Sequence, residues 1–194
     1  MEITFGLVSK EDELEQILVL QSQFLSHRVS EQDKHTKGFL TVEHSIDSLR
    51  TLNAACRQVI AKQQDVLVGY ALVMPKECKD LIPVLFPMFT KFDQVSYNGQ
   101  ALSQQNYYVM GQICVAEEYR RQGLSGKLYN THRQLYSDRF DLCITEVSSS
   151  NKPSLKAHEK IGFETIYQYR DATDHWNIVL WDWKNQKPWD GKYN

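Results

Sequence analysis

The segment Val115-Ala116-Glu117-Glu118-Tyr119-Arg120-Arg121-Gln122-Gly123-Leu124-Ser125-Gly126-Lys127-Leu128 concentrates the residue types that hold an anion. An apolar run ends at Val115, Arg120 and Arg121 are adjacent cations, and Gly123 and Gly126 open a helical pattern. A helix N-terminus presents unpaired backbone N–H groups and the positive end of a dipole, which suits phosphate. Glycine lets the backbone come close enough for several of those groups to meet one ligand. Two common phosphate loops are excluded. A Walker A loop needs a glycine where Arg121 stands and a Ser or Thr where Leu128 stands. A Rossmann fingerprint needs three glycines near the start of a βαβ unit, whereas Gly123 and Gly126 come late in the chain.

The surrounding pattern supplies the elements that must position this loop. Tyr107 to Val115 reads as a strand, Leu124 to Tyr136 as a helix, Leu142 to Ser148 as a strand, and Pro153 to Ile161 as a short helix ending at Gly162. Two final strands, Phe163 to Arg170 and Trp176 to Trp183, flank a turn at Asp171 to Asp174. Earlier in the chain, Ile3 to Val8 is a strand, and Glu11 to Phe24 a helix with Ser9 as N-cap. Ser26 to Gly38 reads as a loop or frayed turn, and Val42 to Ala55 as a helix. Gln58 to Ala61 and Val66 to Val73 form a hairpin. Pro75 to Gln105 is apolar but interrupted by Pro83 and Pro87, so a short helix with Pro83 in its first turn fits better than a central strand. A connection of that length inside a domain suggests a lid or a substrate wall.

Composition narrows the classes. The chain has 194 residues, with 22 Lys+Arg against 24 Asp+Glu and a formal charge of -2. That argues for one domain over 1–194 and against a nucleic-acid binder, which would carry a basic footprint. Arg120, Arg121 and Lys127 alone do not make one. Cys56, Cys78, Cys114 and Cys143 form no C-x-x-C pair, and the histidines lack metal-ligand spacing, so no metal is expected and the thiols read as reduced. The N-terminus turns acidic at once, unlike a signal peptide, and no apolar run approaches the ~20 residues of a membrane helix. A cytoplasmic protein without a membrane partner is the expectation. Residues 185–194 read as a polar tail in which Trp189 could pack.

Arg120-Arg121-Gln122-Gly123-Leu124-Ser125 resembles the acetyl-CoA loop, R/Q-x-x-G-x-G/A, of the GCN5-related N-acetyltransferase (GNAT) family, behind an Ile113-Cys114-Val115 strand similar to that family's fourth. Ser125 departs from the pattern, but it is small and its hydroxyl can donate to a phosphate oxygen. The run Ile144 to Phe163 resembles the family's fifth strand, its Asn-led loop and its Tyr/His-x-x-x-Gly-Phe helix end, here His158 to Phe163. The resemblance implies an α/β fold with a mixed sheet of about seven strands, flanked by helices and splayed between the fourth and fifth.

It also implies a site. Backbone groups of Ile113 and Val115 would bond the pantetheine arm. The amides of Gln122, Gly123, Leu124, Ser125 and Gly126 would hold the pyrophosphate, with Arg120 and Arg121 adding charge. Asn151 would contact the cofactor and cap the following helix, and Ser154 would add a hydrogen bond. Acetyl transfer to an amine needs a proton acceptor before attack. Glu146 on the fifth strand would be that base; the plain alternative is a strand glutamate satisfied by a neighbour. His158 stands where the family has a tyrosine that protonates the leaving thiolate. A thiol (about 8.5) outranks imidazolium (about 6.5), so donation runs downhill. The alternative is a helix-end histidine that packs. Aromatics Tyr167, Tyr169, Trp176, Trp181 and Trp183 read as sheet packing, although some could line the acceptor cleft or a homodimer interface. The expected activity is direct acetyl transfer from acetyl-CoA to a primary amine in a ternary complex, with a small-molecule acceptor. The alternatives are a protein N-terminus or lysine as acceptor, and a non-catalytic acyl-CoA-binding relative.

Overall fold

The computed structural model describes residues 2–185. Strands β1 (Ile3–Leu7), β2 (Val59–Gln63) and β3 (Val66–Pro75) pair antiparallel, and β3 continues onto β6 (Tyr107–Val115). Beyond β6 come β7 (Leu142–Ser148), β9 (His175–Asp182) and β8 (Glu164–Arg170), completing a seven-stranded sheet in the order β1-β2-β3-β6-β7-β9-β8. The mixed sheet expected from the sequence is present. Its only parallel neighbours among the described residues are β6 and β7, and they pair only from Tyr107–Leu142 to Val109–Ile144. Past that point the two strands separate. Each keeps its outer partner: β6 is held by β3 up to Gly69–Val115, and β7 by β9 up to Ser148–Trp176. A register shift between Ala71 and Val73 in the β3–β6 ladder coincides with the divergence, as an irregularity that bends and twists a strand would require.

Helices cover both faces. On one face α5 (Leu124–Tyr136) and α6 (Lys152–Ile161) bury Leu128, Tyr129 and Ile161 against Met110, Val147 and Trp181. On the other, α1 (Glu11–Ser22) and α3 (Ile46–Ala55) bury Leu14, Ile17 and Leu49 against Tyr70 and Leu72. The segment 75–105 covers the closed end of the split, where Phe89, Phe92 and Leu102 pack on Val109, Ile144 and Ile178. It is more structured than its prolines suggest. Two 3-10 turns, Lys76–Leu81 and Pro83–Leu85, lead into α4 (Phe86–Phe92) and a small hairpin of β4 (Ser96–Tyr97) and β5 (Gln100–Ala101). Both Pro83 and Pro87 sit in first turns, where the missing N–H costs nothing.

Three sequence expectations shift. Ser26 to Gly38 is not all loop, because α2 (Glu31–Lys37) forms there. Ser30 caps it by accepting from the Asp33 amide (3.1 Å), and Lys34–Glu31 (2.5 Å) and Lys37–Asp33 (3.3 Å) brace its surface. No residue of α2 is buried, so no apolar period announced it. The next helix starts at Ile46 rather than Val42, because Ser45 caps it through the Ser48 amide (3.1 Å). At α1 it is Lys10 rather than Ser9 that precedes the first helical residue; the amides of Ser9 and Lys10 both donate to Glu13. The polar tail, Trp189 included, lies outside the described residues beyond Asn185.

Candidate active site

The diverging ends of β6 and β7 enclose a cavity of about 600 Å³. Ile113, Val115, Arg120, Arg121, Ser125, Glu146, Asn151, Ser154 and His158 all line it. Gln122, Gly123, Leu124 and Gly126 are not among the lining residues; they build the turn and first helical residues behind Ser125. The Ala116 amide donates to Val68 on β3 (2.9 Å). Alternation along a strand then turns the backbone groups of Val115 and Ile113 away from β3, toward the cleft.

The loop folds as its glycine demands. Gly123 has φ 78 and stands immediately before α5, a conformation that a side chain disfavours. Gln122 closes the turn by donating Nε2–H to the Glu118 carbonyl (2.9 Å). No side chain caps α5, so its first amides are not consumed by a cap. Arg121 is exposed at the loop apex with φ 60. Arg120 is committed elsewhere: it donates Nε–H to the Val115 carbonyl (3.1 Å) and Nη1–H to the Lys37 carbonyl (3.1 Å), and lies 4.3 Å over the Phe24 ring.

On the β7 side, burial pushes the Glu146 carboxyl up to about 7, and the hydrogen bond it accepts from the Tyr169 hydroxyl pulls the other way. A carboxylate near neutrality is suited to taking a proton at physiological pH. His158 is buried, and desolvation pushes it down to about 4. Its Nδ1 lies 2.8 Å from the Ser154 carbonyl and its Nε2 2.8 Å from the Tyr129 hydroxyl. A carbonyl only accepts, so Nδ1 carries the proton and Nε2 accepts from Tyr129. The neutral ring thus spends its one N–H on the backbone, which matches a packed helix histidine more closely than a thiolate's proton donor. Asn151 caps α6 by accepting from the Ser154 amide (3.3 Å) and donates Nδ2–H to the Phe39 carbonyl (3.0 Å).

Several lining residues carried no sequence signal as site residues: Phe24, Thr36 to Thr41 and Tyr129. Trp176, one of the aromatics read as sheet packing that could line a cleft, also lines it. Tyr169 lines a second groove of about 380 Å³, shared with Phe86, Pro87, Thr90, Lys91 and Gln94 of the 75–105 segment. Its bond to Glu146 therefore joins the two hollows. The buried thiols Cys114 and Cys143 are pushed up to about 12 by desolvation. Among the described residues no group of three or more His, Cys, Asp or Glu is arranged to hold a metal, and no helix is long and apolar enough to cross a membrane.

A mixed sheet split between two parallel central strands, with an uncapped helix N-terminus at the open end, defines the acyl-CoA N-acyltransferase fold. Residues 17–163 match the Acetyltransferase (GNAT) family, and the chain belongs to it. No curated protein sequence matches it. Solved structures of similar fold include the NatC complex bound to Gag peptide and CoA, at 15% identity and TM-score 0.63, covering 94% of this chain and 99% of that one. Another is the ribosomal-protein-S18-alanine N-acetyltransferase from Escherichia coli, at 13% identity and TM-score 0.56, covering 92% and 91%. A third, yncA from Salmonella typhimurium with its cofactor acetyl-CoA, has 13% identity and TM-score 0.60, covering 98% and 99%.

Proposed function

We propose that this GNAT-family acyltransferase moves the acetyl group of acetyl-CoA to a primary amine by direct attack in a ternary complex. The observation that carries the reading is the cleft itself. Two strand edges lack partners beyond Val109 and Ile144, and the uncapped start of α5 stands at the open end with Arg121 and Ser125. An extended amide-bearing arm fits the first feature and a pyrophosphate the second. When bound, acetyl-CoA supplies an activated acyl group and a thiolate that can leave. The chain's own part is to orient and to move a proton. The Val115 amide would face the thioester carbonyl oxygen, and Glu146 would take the proton that the acceptor ammonium must lose, directly or through a water. The N–C bond then forms as the C–S bond breaks, sulfur keeps the electron pair, and the second proton that nitrogen sheds reaches the thiolate through solvent. His158 acts here through its bonds to Tyr129 and Ser154, as a positioning residue.

A compact amine is the preferred acceptor. The groove beside Tyr169 is walled by the 75–105 segment and carries Phe86 and Pro87 as apolar surface, with Asp171 as a carboxylate for an ammonium beside Lys91 and Arg170. A protein N-terminus is the second reading, supported by the similar fold of NatC, solved with a Gag peptide, and of the S18-alanine enzyme. The first experiment is the melting temperature with and without acetyl-CoA. At a hundredfold excess over Kd the gain is about 2.7 kcal/mol, several degrees for a domain of this size. Turnover with a panel of small amines and N-terminal peptides follows. Acetyl-CoA binding without turnover on any of them would favour the non-catalytic reading, and no thermal shift would remove the cofactor site.

A further inference from the structure

Residues 36–41 run across the open end of the split sheet, and both arms of the split hold them. On the β6 side, the Arg120 guanidinium ties the Val115 carbonyl to the Lys37 carbonyl (3.1 Å each), and Lys37 Nζ pairs with Glu117 (2.7 Å) just past the strand. On the β7 side, Asn151 donates to the Phe39 carbonyl (3.0 Å). Gly38 lies between the two ties with φ 76, and a Cβ there would come within 3.0 Å of Asn151 Oδ1. The segment is also laced to the end of α1, because the Leu40 amide donates to the Phe24 carbonyl (2.8 Å) and the Ser26 amide to the Leu40 carbonyl (2.9 Å).

The β6–β7 ladder ends at Val109–Ile144, so the sheet's own hydrogen bonds do not set the separation of the two arms beyond it. The strap is a covalent span attached to each arm by a buried or half-buried donor. Asn151 is 6% exposed, and its carbonyl and one of its N–H groups are already engaged. We infer that residues 37–39 are a cross-tie that sets the width of the split at its open end and controls how fast acetyl-CoA leaves. Arg120 and Asn151 act on the cofactor through the strap carbonyls and not as its direct ligands. The inference rests on the acetyl-CoA reading above.

Two variants separate the roles. Asn151→Ser keeps a neutral N-cap for the Ser154 amide but is too short to reach Phe39. Gly38→Ala strains the strap from its middle and crowds Asn151 Oδ1, yet removes no group from either arm. Backbone hydrogen exchange of residues 36–41, measured without cofactor, is expected to rise roughly fivefold in both, the scale of one lost hydrogen bond, while α5 and the β7–β9 ladder stay protected. Acetyl-CoA dissociation and its KM are expected to rise by a similar factor in both variants, with kcat at saturation little changed. A purely structural defect would lower kcat and melting temperature together and spare that split, which would overturn the inference. Unchanged exchange in the strap would also overturn it. So would faster dissociation in Asn151→Ser with native dissociation in Gly38→Ala, because Asn151 would then touch the cofactor itself. If the wild type fails to bind acetyl-CoA, the function reading falls, and the exchange data still decide whether the strap ties the arms.

Discussion

The Tyr169 hydroxyl reaches across β9 to donate its hydrogen to the Glu146 carboxylate two strands away. Burial raises Glu146 to about 7, and the donated hydrogen bond favours its ionised form. A base works only when ionised, so kcat/KM for acetyl transfer should rise with pH through about 7. Removing the donor in Tyr169→Phe leaves desolvation unopposed and moves the midpoint to higher pH. The loss of rate should be largest below neutrality and recover under alkaline conditions. A pH–rate profile of Tyr169→Phe that parallels the wild type at every pH would contradict this pairing.

Glu146→Gln keeps the shape of the side chain and removes its basicity. Turnover at pH 7 should fall on the order of a hundredfold or more, the usual worth of a positioned general base. The thermal shift with acetyl-CoA should persist, because Glu146 lies on β7 and the proposed pyrophosphate site lies at the start of α5. Full turnover in this variant would remove the assignment and leave the acyltransferase reading standing.

Three buried histidines make the fold acid-sensitive. Desolvation pushes His44, His132 and His158 down to about 4. The unfolded chain takes up these protons near 6.5 and the folded chain does not, so stability is present above 6.5 and falls as pH drops toward 4. Glu146 opposes them: raised to about 7, it binds a proton in the folded state that the unfolded chain lacks until below its ordinary carboxyl value. The balance at pH 5.5 is a net two protons, or about 2.7 kcal/mol lost per pH unit. Denaturant titrations of His158→Phe should show the slope reduced to about half. An unchanged slope would mean that the imidazole is not held neutral.

Glu13 carries a separate acid-sensitive contact that joins α1 to β2. Burial alone would raise it, but the Lys62 ammonium at 2.5 Å and the Ser9 and Lys10 amides outweigh that and hold it at about 2. A depressed carboxyl contributes stability above its unfolded value, lost as pH falls from roughly 4.5 through about 2. Glu13→Gln should cost about 2 kcal/mol at pH 7 in urea unfolding, and the difference from wild type should vanish near pH 2. A constant difference down to that pH would assign the cost to packing.

Much of the fold was legible because its signals are local. The apolar runs of β6 and β7 mark two buried strands, Gly123 requires a left-handed turn before α5, and Asn151 caps α6. Each follows from residues within a few positions of one another. The helix α2 was not legible, because it buries nothing and stands on a serine cap and surface ion pairs. The segment 75–105 was legible only as packed surface. Its turns follow from where Phe89, Phe92 and Leu102 must go, and that is a property of the sheet beneath them.

The site divides along the same line. The sequence by itself determined part of the cleft's border, since Val115, Ser125, Glu146 and His158 lie in contiguous stretches whose order decides where the chain separates; Phe24, residues 36–41 and Tyr129 join that border only in the folded chain. Only the tertiary structure decided what those residues can do. Glu146 is raised to about 7 because the fold buries it, while Tyr169, arriving from β8, pulls it the other way. His158 stays neutral because burial under Tyr129 and Phe163 desolvates it, outweighing the Ser154 carbonyl that favours its charged form. Arg120 and Asn151 are turned toward a strap that precedes them by 83 and 112 positions. Protonation and hydrogen-bond choice depend on desolvation and on partners distant in the chain, and neither is encoded by local spacing.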